Sequence, residues 1–277
     1  MRTPSWLARI NWPWARRFPT AGRSRIELGA SHDVIYAIGD VHGCLHQLLD
    51  IERMIIRDAE IFPGSKLIVL LGDLVDRGPA SAGVIDHLLS MPPAGFERIC
   101  LAGNHDAMML QFLDAPSSNM DWLDLGGDTT LSSYGIRVEA LRNLPSRSIE
   151  LLLAAHVPNE HRSFLSSLPV LAVSPNYIFV HAGLRPGVAL EAQSESDLLW
   201  FRDRYENDYS EFARTVVHGH TPAKEPHVSR WRIGVDTAAY VTGRLSVVRL
   251  VPGSPALLLA TEQPSRLRTS PNKTETP

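Results

Sequence analysis

The sequence lacks the features that define several other protein classes. It has only two cysteines, Cys44 and Cys100, so neither a disulfide framework nor a cysteine-rich structural zinc site is expected. It contains no uncharged run of about 18 apolar residues and therefore no predicted membrane-spanning helix. Internal repeats are absent as well. These absences favour a globular protein with buried free thiols in a reducing cytoplasm.

Acidic residues are missing from the first 25 positions, which carry six arginines. The whole chain has a net charge of −3, so the remainder is six charges more negative than that total. Because a polyanion binds to a basic face, the acidic body argues against nucleic acid as a partner.

Residues 1–30 are predicted to form a basic arm. Tryptophan among arginines is typical of a segment that lies at a membrane interface, whereas three prolines in this stretch interrupt any long helix. The prolines favour a disordered arm, and the alternative is weak peripheral contact of residues 1–25 with the anionic inner face of the membrane. Residues 263–277 are polar and contain proline, and they are predicted to form a disordered tail.

The segment between arm and tail, residues 31–262, is predicted to be one catalytic domain. Its first part alternates apolar runs with segments of helical periodicity: strands at 34–39, 66–71 and 98–102, and helices at 44–60, 81–90 and 106–113. This βαβαβα order implies a largely parallel sheet.

The second part of the domain has a different pattern. Residues 121–168 are predicted to form a helical insertion that covers the sheet, with helices near 149–155 and 160–167. More strands follow, the last two joined as a hairpin, at 177–180, 215–217, 232–235, 245–250 and 256–260.

Five short blocks place Asp, Asn and His directly after strand-like runs. In one-letter code they are GDVHG from position 39, GDLVDRG from 72, GNHD from 103, HAG from 181 and HGHT from 218. Loops at the carboxyl ends of parallel strands converge, so the blocks are expected to bring six side chains together: Asp40, His42, Asp73, Asn104, His181 and His220.

The donor atoms of these six side chains indicate the kind of site. Carboxylate, amide oxygen and imidazole, without thiolate, suit Mn²⁺, Fe or Zn²⁺. Six ligands are too many for one open metal, but they suit two metals that share a carboxylate. Two metals about 3.5–4 Å apart can clamp both the attacking and the leaving oxygen in phosphate-ester hydrolysis.

The five blocks resemble those of the metal-dependent phosphoprotein phosphatase family within the calcineurin-like phosphoesterases. The similarity is greatest to the bacterial and phage type, which is related to the symmetrical dinucleoside-tetraphosphate hydrolases. The segment at 198–202, LLWFR, resembles the Trp-x-Arg segment of bacterial members. The resemblance implies an α/β sandwich of two β-sheets flanked by helices, with a helical insertion.

The resemblance also implies a role for each site residue. Two divalent ions are expected, with manganese favoured over iron or zinc. The first would be held by Asp40, His42 and Asp73, and Asp73 would bridge to a second ion that is completed by Asn104, His181 and His220.

The remaining machinery is implied in the same way. Arg77 and Arg202 would grip phosphate oxygens, and His105 would protonate the leaving oxygen while Asp76 orients it. The nucleophile would be a hydroxide that bridges the metals. One departure from similar bacterial sequences is Ala238, where glycine is expected after Asp-Thr.

The sequence leaves the substrate open between two classes. A serine/threonine protein phosphatase, with dual specificity for phosphotyrosine as an extension, is the leading hypothesis. A symmetrical dinucleoside-tetraphosphate hydrolase is the alternative. An open shallow groove would favour the phosphatase, and an aromatic side chain able to stack a base would favour the hydrolase. A catalytically inactive binding module is disfavoured because the ligand set is intact.

Overall fold

The apolar runs of the sequence form the strands of two β-sheets. The computed structural model describes residues 15–18, 22–29, 32–141, 143–202 and 209–261. In chain order its strands are β1 (Ala15–Phe18), β2 (Arg25–Leu28), β3 (Val34–Ile38), β4 (Lys66–Leu70), β5 (Phe96–Cys100), β6 (Leu171–Val173), β7 (Tyr177–Val180), β8 (Thr215–His218), β9 (His227–Val228), β10 (Arg232–Gly234), β11 (Ser246–Leu250) and β12 (Leu257–Ala260).

Both sheets contain a run of three parallel strands together with antiparallel pairs. The five-stranded sheet has the order β12-β11-β3-β4-β5, in which β3, β4 and β5 are parallel. The seven-stranded sheet has the order β1-β2-β6-β7-β8-β10-β9, in which β7, β8 and β10 are parallel. The predicted parallel run at the start of the domain and the hairpin of β11 with β12 are confirmed.

The two sheets share an apolar layer. Every residue of β3 is buried. Successive residues of a strand face opposite sides of the sheet, so alternate side chains of β3 pack into two different hydrophobic clusters. Ile35 and Ala37 join an inner cluster that includes residues from both sheets, such as Leu67 and Phe179. The inner cluster therefore fixes one sheet against the other.

Helices cover the outer faces of the sheets. In α1, Leu48, Ile51 and Ile55 are buried at spacings of three and four residues, which places them on one face. The helices are α1 (Leu45–Asp58), α2 (Ser81–Leu89), α3 (Asn104–Asp114), α4 (Asp128–Ser133), α5 (Val138–Leu141), α6 (Ser146–His156), α7 (Asn159–Ser167), α8 (Glu195–Trp200) and α9 (Ala239–Thr242).

Shorter helical turns complete the connections. Four are 3₁₀ turns and one, at Leu123–Gly127, is a π-helical turn: Ala59–Ile61, Pro116–Ser118, Leu123–Gly127, Leu190–Ala192 and Tyr209–Phe212. Helices α4 to α7 and the π-helical turn confirm the predicted helical insertion.

Several boundaries differ from the prediction. Strand β5 begins at Phe96 rather than 98, and α3 begins at Asn104 rather than 106. Strand β2 lies inside the range 1–30, for which the sequence predicts an arm. It pairs with β6 in the seven-stranded sheet. Its side chains also hold it to the domain, because Ile26 is fully buried and the guanidinium of Arg25 donates to the backbone oxygens of Leu190 and Glu191.

Most of the predicted arm and tail lies outside the described residues. Residues 1–14, 19–21 and 262–277 are among those for which the structure gives no description, and the proposed division of the chain stays a prediction there. Across the part of the chain that is described, no helix is both long and apolar enough to cross a membrane.

Ala238 adopts a left-handed backbone conformation, which gives a physical reason to expect glycine at this position. Its φ is 51° and its ψ is 57°, immediately before α9. This conformation costs an L-residue roughly 1–2 kcal/mol, and glycine avoids most of that cost.

We therefore predict that Ala238→Gly raises the free energy of unfolding by about 0.5–1 kcal/mol. Urea denaturation would measure the change. Ala239→Gly is the matched control: it makes the same substitution one residue later, in α9, and should lower stability by about 0.5–1 kcal/mol. Equal effects of the two substitutions would contradict the explanation.

Candidate active site

The ends of five strands bring the predicted site residues together. Asp40, Asp73 and Asn104 follow β3, β4 and β5, while His181 and His220 follow β7 and β8 of the other sheet. Parallel strands end at the same edge of their sheet, so these loops meet. All the predicted ligand side chains are buried: Asp40, His42, Asp73, Asn104, His181 and His220.

One group of donor atoms surrounds His181. Its Nε2 lies 2.9 Å from Oδ1 of Asn104 and 3.1 Å from Nδ1 of His220. The same nitrogen is 3.4 Å from Oδ1 of Asp73. Candidate ligand atoms of Asp73, His181 and His220 all lie within 4.8 Å of one another, a spacing that could hold a metal ion.

A second group lies on the other side of Asp73. Nε2 of His42 is 3.4 Å from Oδ2 of Asp73, and candidate ligand atoms of His42, Asp73 and His105 again lie within 4.8 Å of one another. The two oxygens of Asp73 therefore face different groups. This is the geometry expected of a carboxylate shared by two metals.

Backbone oxygens fix the orientation of two histidines. Nδ1 of His42 donates to the backbone oxygen of Val75 at 2.8 Å, and Nδ1 of His181 donates to that of Leu71 at 2.9 Å. In each ring Nε2 then carries the lone pair and lies 3.4 Å from an oxygen of Asp73. Outer hydrogen bonds of this kind select the tautomer that a metal ligand needs.

Burial and charge set suitable protonation states. Burial lowers the pKa of His42 and of His220 to about 3 each, and it also lowers the pKa of His181. Burial alone would raise the pKa of Asp73. The interactions with His181 and His42 lower it, and with the other nearby groups they outweigh burial, so the pKa of Asp73 lies below its usual range. Neutral imidazoles around an ionised carboxylate are the states that bind metal.

Asp40 lies beside these two groups, with its carboxylate bound to backbone. Its Oδ1 and Oδ2 accept the N–H of His220 at 3.1 and 3.0 Å. Burial, followed by the nearby charges of Asp236 and Asp73, raises the pKa of Asp40 well above its usual range. A cation at this position would relieve the repulsion between these carboxylates.

His105, Asp76 and Arg77 form a connected set next to His42. Nδ1 of His105 donates to Oδ2 of Asp76 at 2.7 Å. The two terminal nitrogens of Arg77 donate to Nε2 of His42 and to Nε2 of His105, each at 2.9 Å. The guanidinium thus reaches the centre of the predicted site.

Arg202 and Tyr240 lie at the rim. Nε of Arg202 donates to Nε2 of His220 at 3.2 Å. Tyr240 is 37% exposed and accepts a hydrogen bond from Arg77 at 3.2 Å, with the guanidinium carbon 4.8 Å from its ring centroid. Sequence reasoning did not identify Tyr240.

Backbone strain is concentrated in the site. Seven described residues other than glycine have a positive φ. Two of them, Ala213 and Ala238, lie outside the site. The other five are predicted site residues: His42, Asp73, Asp76, Arg77 and His220. Each such position costs of order 1–3 kcal/mol and persists because the surrounding contacts hold it.

Asp106 is a supporting residue to which the sequence analysis gave no role, although it lies in the GNHD block. Its Oδ1 accepts the N–H of Leu74 at 3.0 Å, and its Oδ2 accepts the N–H of Gly103 at 2.8 Å. It thereby ties the loop after β4 to the loop after β5. Burial, and then the charge of Asp73, raises its pKa to about 7.

The donor set and the shared carboxylate define the class of the protein. Two groups of buried His and Asp side chains meet at Asp73, Asn104 adds an amide oxygen, and no cysteine takes part. These residues fit a pair of hard or borderline divalent ions, and the site is that of a dinuclear metallohydrolase.

The chain belongs to the calcineurin-like phosphoesterase family, whose sequence profile matches residues 34–250. This family uses a dinuclear metal centre, and the chain is accordingly a metal-dependent phosphoesterase, a hydrolase. The two sheets flanked by helices are the fold of the family, as predicted.

Relatives named for different activities resemble the chain. "Serine/threonine-protein phosphatase 1" of Salmonella typhimurium is 28% identical over 224 residues, covering 78% of this chain and 91% of that protein. "Bis(5'-nucleosyl)-tetraphosphatase PrpE [asymmetrical]" of Anoxybacillus flavithermus is 23% identical over 232 residues, covering 76% and 88%. A solved serine/threonine phosphatase from Saccharomyces cerevisiae shares the fold, with a TM-score of 0.57, 18% identity and coverage of 86% and 84%.

Because Asp106 accepts two buried backbone N–H groups, we predict that Asp106→Ala lowers the free energy of unfolding by about 2–4 kcal/mol. Urea denaturation of the apoprotein would measure this loss without any contribution from metal. The exposed Asp128, which accepts only the N–H of Thr129, is the control, and Asp128→Ala should cost less than about 1 kcal/mol. Similar losses for both would show that Asp106 does not join the loops.

Proposed function

We propose that the chain is a two-metal phosphatase that removes phosphate from serine and threonine side chains of proteins. The observation that carries this proposal is an open groove that begins at the site. It has a volume of about 1150 Å³ and is lined by the start of α1, the turn after Arg77, and residues 239–243.

The shape of the groove suits a polypeptide. Its lining includes small residues, such as Gly43 and Ala80, and exposed side chains, such as His46 and Val241, which is 72% exposed. Arg77 lies at its inner end and contacts His42 and His105. An extended peptide could therefore lie in the groove with its phosphorylated side chain at the buried cluster. The similarity to the Salmonella protein phosphatase over most of both chains supports this substrate class.

The proposed metal ligands follow from the two groups of donor atoms. His42 and Asp73, with Asp40 beside them, would hold one ion, and Asp73, Asn104, His181 and His220 would hold the other. When bound, the ions would polarise the phosphate ester and make a water molecule more acidic. Buried, neutral imidazoles and the ionised Asp73 are ready for this role without a change of protonation.

Two guanidinium groups would bind the phosphate. Arg77 reaches the end of the cluster that contains His42 and His105, and Arg202 reaches the other end at His220. A planar guanidinium donates two parallel hydrogen bonds to phosphate oxygens, which lysine cannot do. In the complex, these donors would turn from the histidines to the substrate.

His105 would protonate the leaving oxygen. Asp76 accepts its Nδ1–H, so Nε2 faces Arg77 and the space where the phosphate would bind. The hydrogen bond and charge of Asp76 outweigh the effect of burial and raise the pKa of His105. A proton on Nε2 can then be passed to the departing serine or threonine oxygen.

Hydrolysis of dinucleoside tetraphosphates is the second candidate, and Tyr240 favours it. The exposed ring of Tyr240 lies beside Arg77, with its centroid 5.2 Å from that of His42. A nucleobase could stack on it while the polyphosphate reaches the metals. The Anoxybacillus tetraphosphatase, whose similarity also covers most of both chains, gives this candidate equal support from relatives.

A substrate panel with saturating Mn²⁺ distinguishes the two candidates. We expect kcat/KM for a phosphoserine peptide to exceed that for a dinucleoside tetraphosphate, because the groove is open along α1. Tyr240→Ala should then reduce kcat/KM less than threefold for the peptide. A higher kcat/KM for the dinucleoside, reduced about tenfold or more in Tyr240→Ala through loss of base stacking, would establish the second candidate instead.

Metal content tests the shared carboxylate. We predict that the wild-type chain binds two Mn²⁺ ions at saturation and that Asp73→Asn loses both turnover and at least one ion, since Asp73 faces both groups. Dialysis followed by elemental analysis measures the content directly. Asp50→Asn, a change at a surface ion pair with Arg53, should leave it unchanged. Full metal content in Asp73→Asn would refute the bridging role.

A further inference from the structure

The carboxylate of Asp76 is held by the helical insertion as well as by the active site. It is fully buried. Its Oδ2 accepts the indole N–H of Trp122 at 2.7 Å, together with the Nδ1–H of His105 at 2.7 Å. Its Oδ1 accepts the hydroxyl of Thr130 at 2.8 Å. Trp122 and Thr130 lie 46 and 54 residues from Asp76 in sequence.

The same segment also holds the backbone around Asp76. The N–H of Asp76 donates to Oγ1 of Thr130 at 2.8 Å, and the N–H of Arg77 donates to the backbone oxygen of Gly126 at 3.1 Å. Both Asp76 and Arg77 have positive φ, at 74° and 67°. Two consecutive strained residues thus receive external support from one stretch of the insertion, which we call the clamp (residues 122–130).

The two glycines of the clamp are required by these contacts. A Cβ at Gly126, whose φ is +109°, would lie 2.8 Å from the backbone nitrogen of Arg77. A Cβ at Gly127 would lie 2.4 Å from the ring of Trp122. The indole is also packed against Phe112, with ring centroids 4.8 Å apart. The glycines therefore let the insertion approach Arg77 and keep Trp122 directed at Asp76.

We propose that Trp122 and Thr130 are positioning residues for the leaving-group acid: they hold Asp76 so that His105 presents Nε2 to the scissile ester. This inference rests on the proposed role of His105. Without the two donors, the carboxylate could rotate about its side chain, because only His105 would then orient it. His105 would lose its fixed direction, although none of the proposed metal ligands would be replaced.

A contact that merely stabilised the fold would lower activity on all substrates alike. A contact that aims the acid has a different signature, since protonation matters most when the leaving oxygen is basic and least when it is acidic. The decisive measurement is therefore kcat across a series of aryl phosphates whose phenol leaving groups differ in acidity, at saturating Mn²⁺.

Three variants carry the test. Thr130→Val keeps the shape of the side chain but removes its hydroxyl, and Trp122→Phe removes the indole N–H. Each should lower kcat for the least acidic phenol about tenfold or more, the loss should shrink toward 4-nitrophenyl phosphate, and KM should change less than twofold. Thr130→Ser retains the hydroxyl and should keep the wild-type dependence on leaving group.

Matched controls make the same chemical changes away from the site. Thr215→Val removes a hydroxyl that donates to the backbone oxygen of Arg230 at 2.8 Å, at the end of β8 remote from His218. Trp231→Phe alters a half-buried indole that stacks under Arg230. Neither control should change the leaving-group dependence.

Metal content and thermal melting accompany each variant. Unchanged kcat, equal losses across the series, or loss of metal or fold in both Thr130→Val and Trp122→Phe would overturn the proposal; if one of them fails to fold, the other decides. A wild-type protein that hydrolyses aryl phosphates but not phosphopeptides would remove the proposed substrate and leave this inference intact. A metal-loaded wild type that hydrolyses neither would remove both.

Discussion

Asp73 is the residue on which the rest of the site depends. Its backbone oxygen accepts the N–H groups of Val41 and His42 at 3.1 and 2.8 Å, and its Oδ1 accepts the N–H of His105 at 2.9 Å. It therefore connects the loops after three neighbouring strands. Burying a carboxylate is costly unless it is paired and hydrogen-bonded, and these contacts, with His42 and His181, meet that requirement. Because both groups of donor atoms include Asp73, a change at this residue affects both of them.

The convergence of the candidate ligands could be predicted from sequence because their blocks follow predicted strands. A run of buried apolar residues, then glycine, then Asp or Asn identifies a strand end, as in β4 followed by Asp73. The parallel order of the strands then requires the loops to converge. The blocks of His181 and His220 also follow predicted strands, and the structure places those strands in the second sheet.

The supporting residues could not be predicted because their contacts join distant parts of the chain. Trp122 has no local sequence signal that connects it with Asp76, from which it is 46 residues distant in the chain. The position of Arg25 could not be predicted for a different reason, which is that its charge suggested the wrong environment. Its charge favoured a solvated arm, but its guanidinium is buried and donates to backbone oxygens near Leu190, so tertiary hydrogen bonds override composition.

The inner cluster between the sheets has a consequence for how this enzyme can vary. Ligands come from loops of both sheets, so the separation of the two metal groups depends on the thickness of the apolar layer, where Ala37 and Ala172 are fully buried. Protein interiors are packed as densely as organic crystals, and a larger side chain in that layer would move one sheet relative to the other. Residues that line the groove can change without moving this layer, whereas a larger side chain within the layer would change the spacing between the loops of the two sheets.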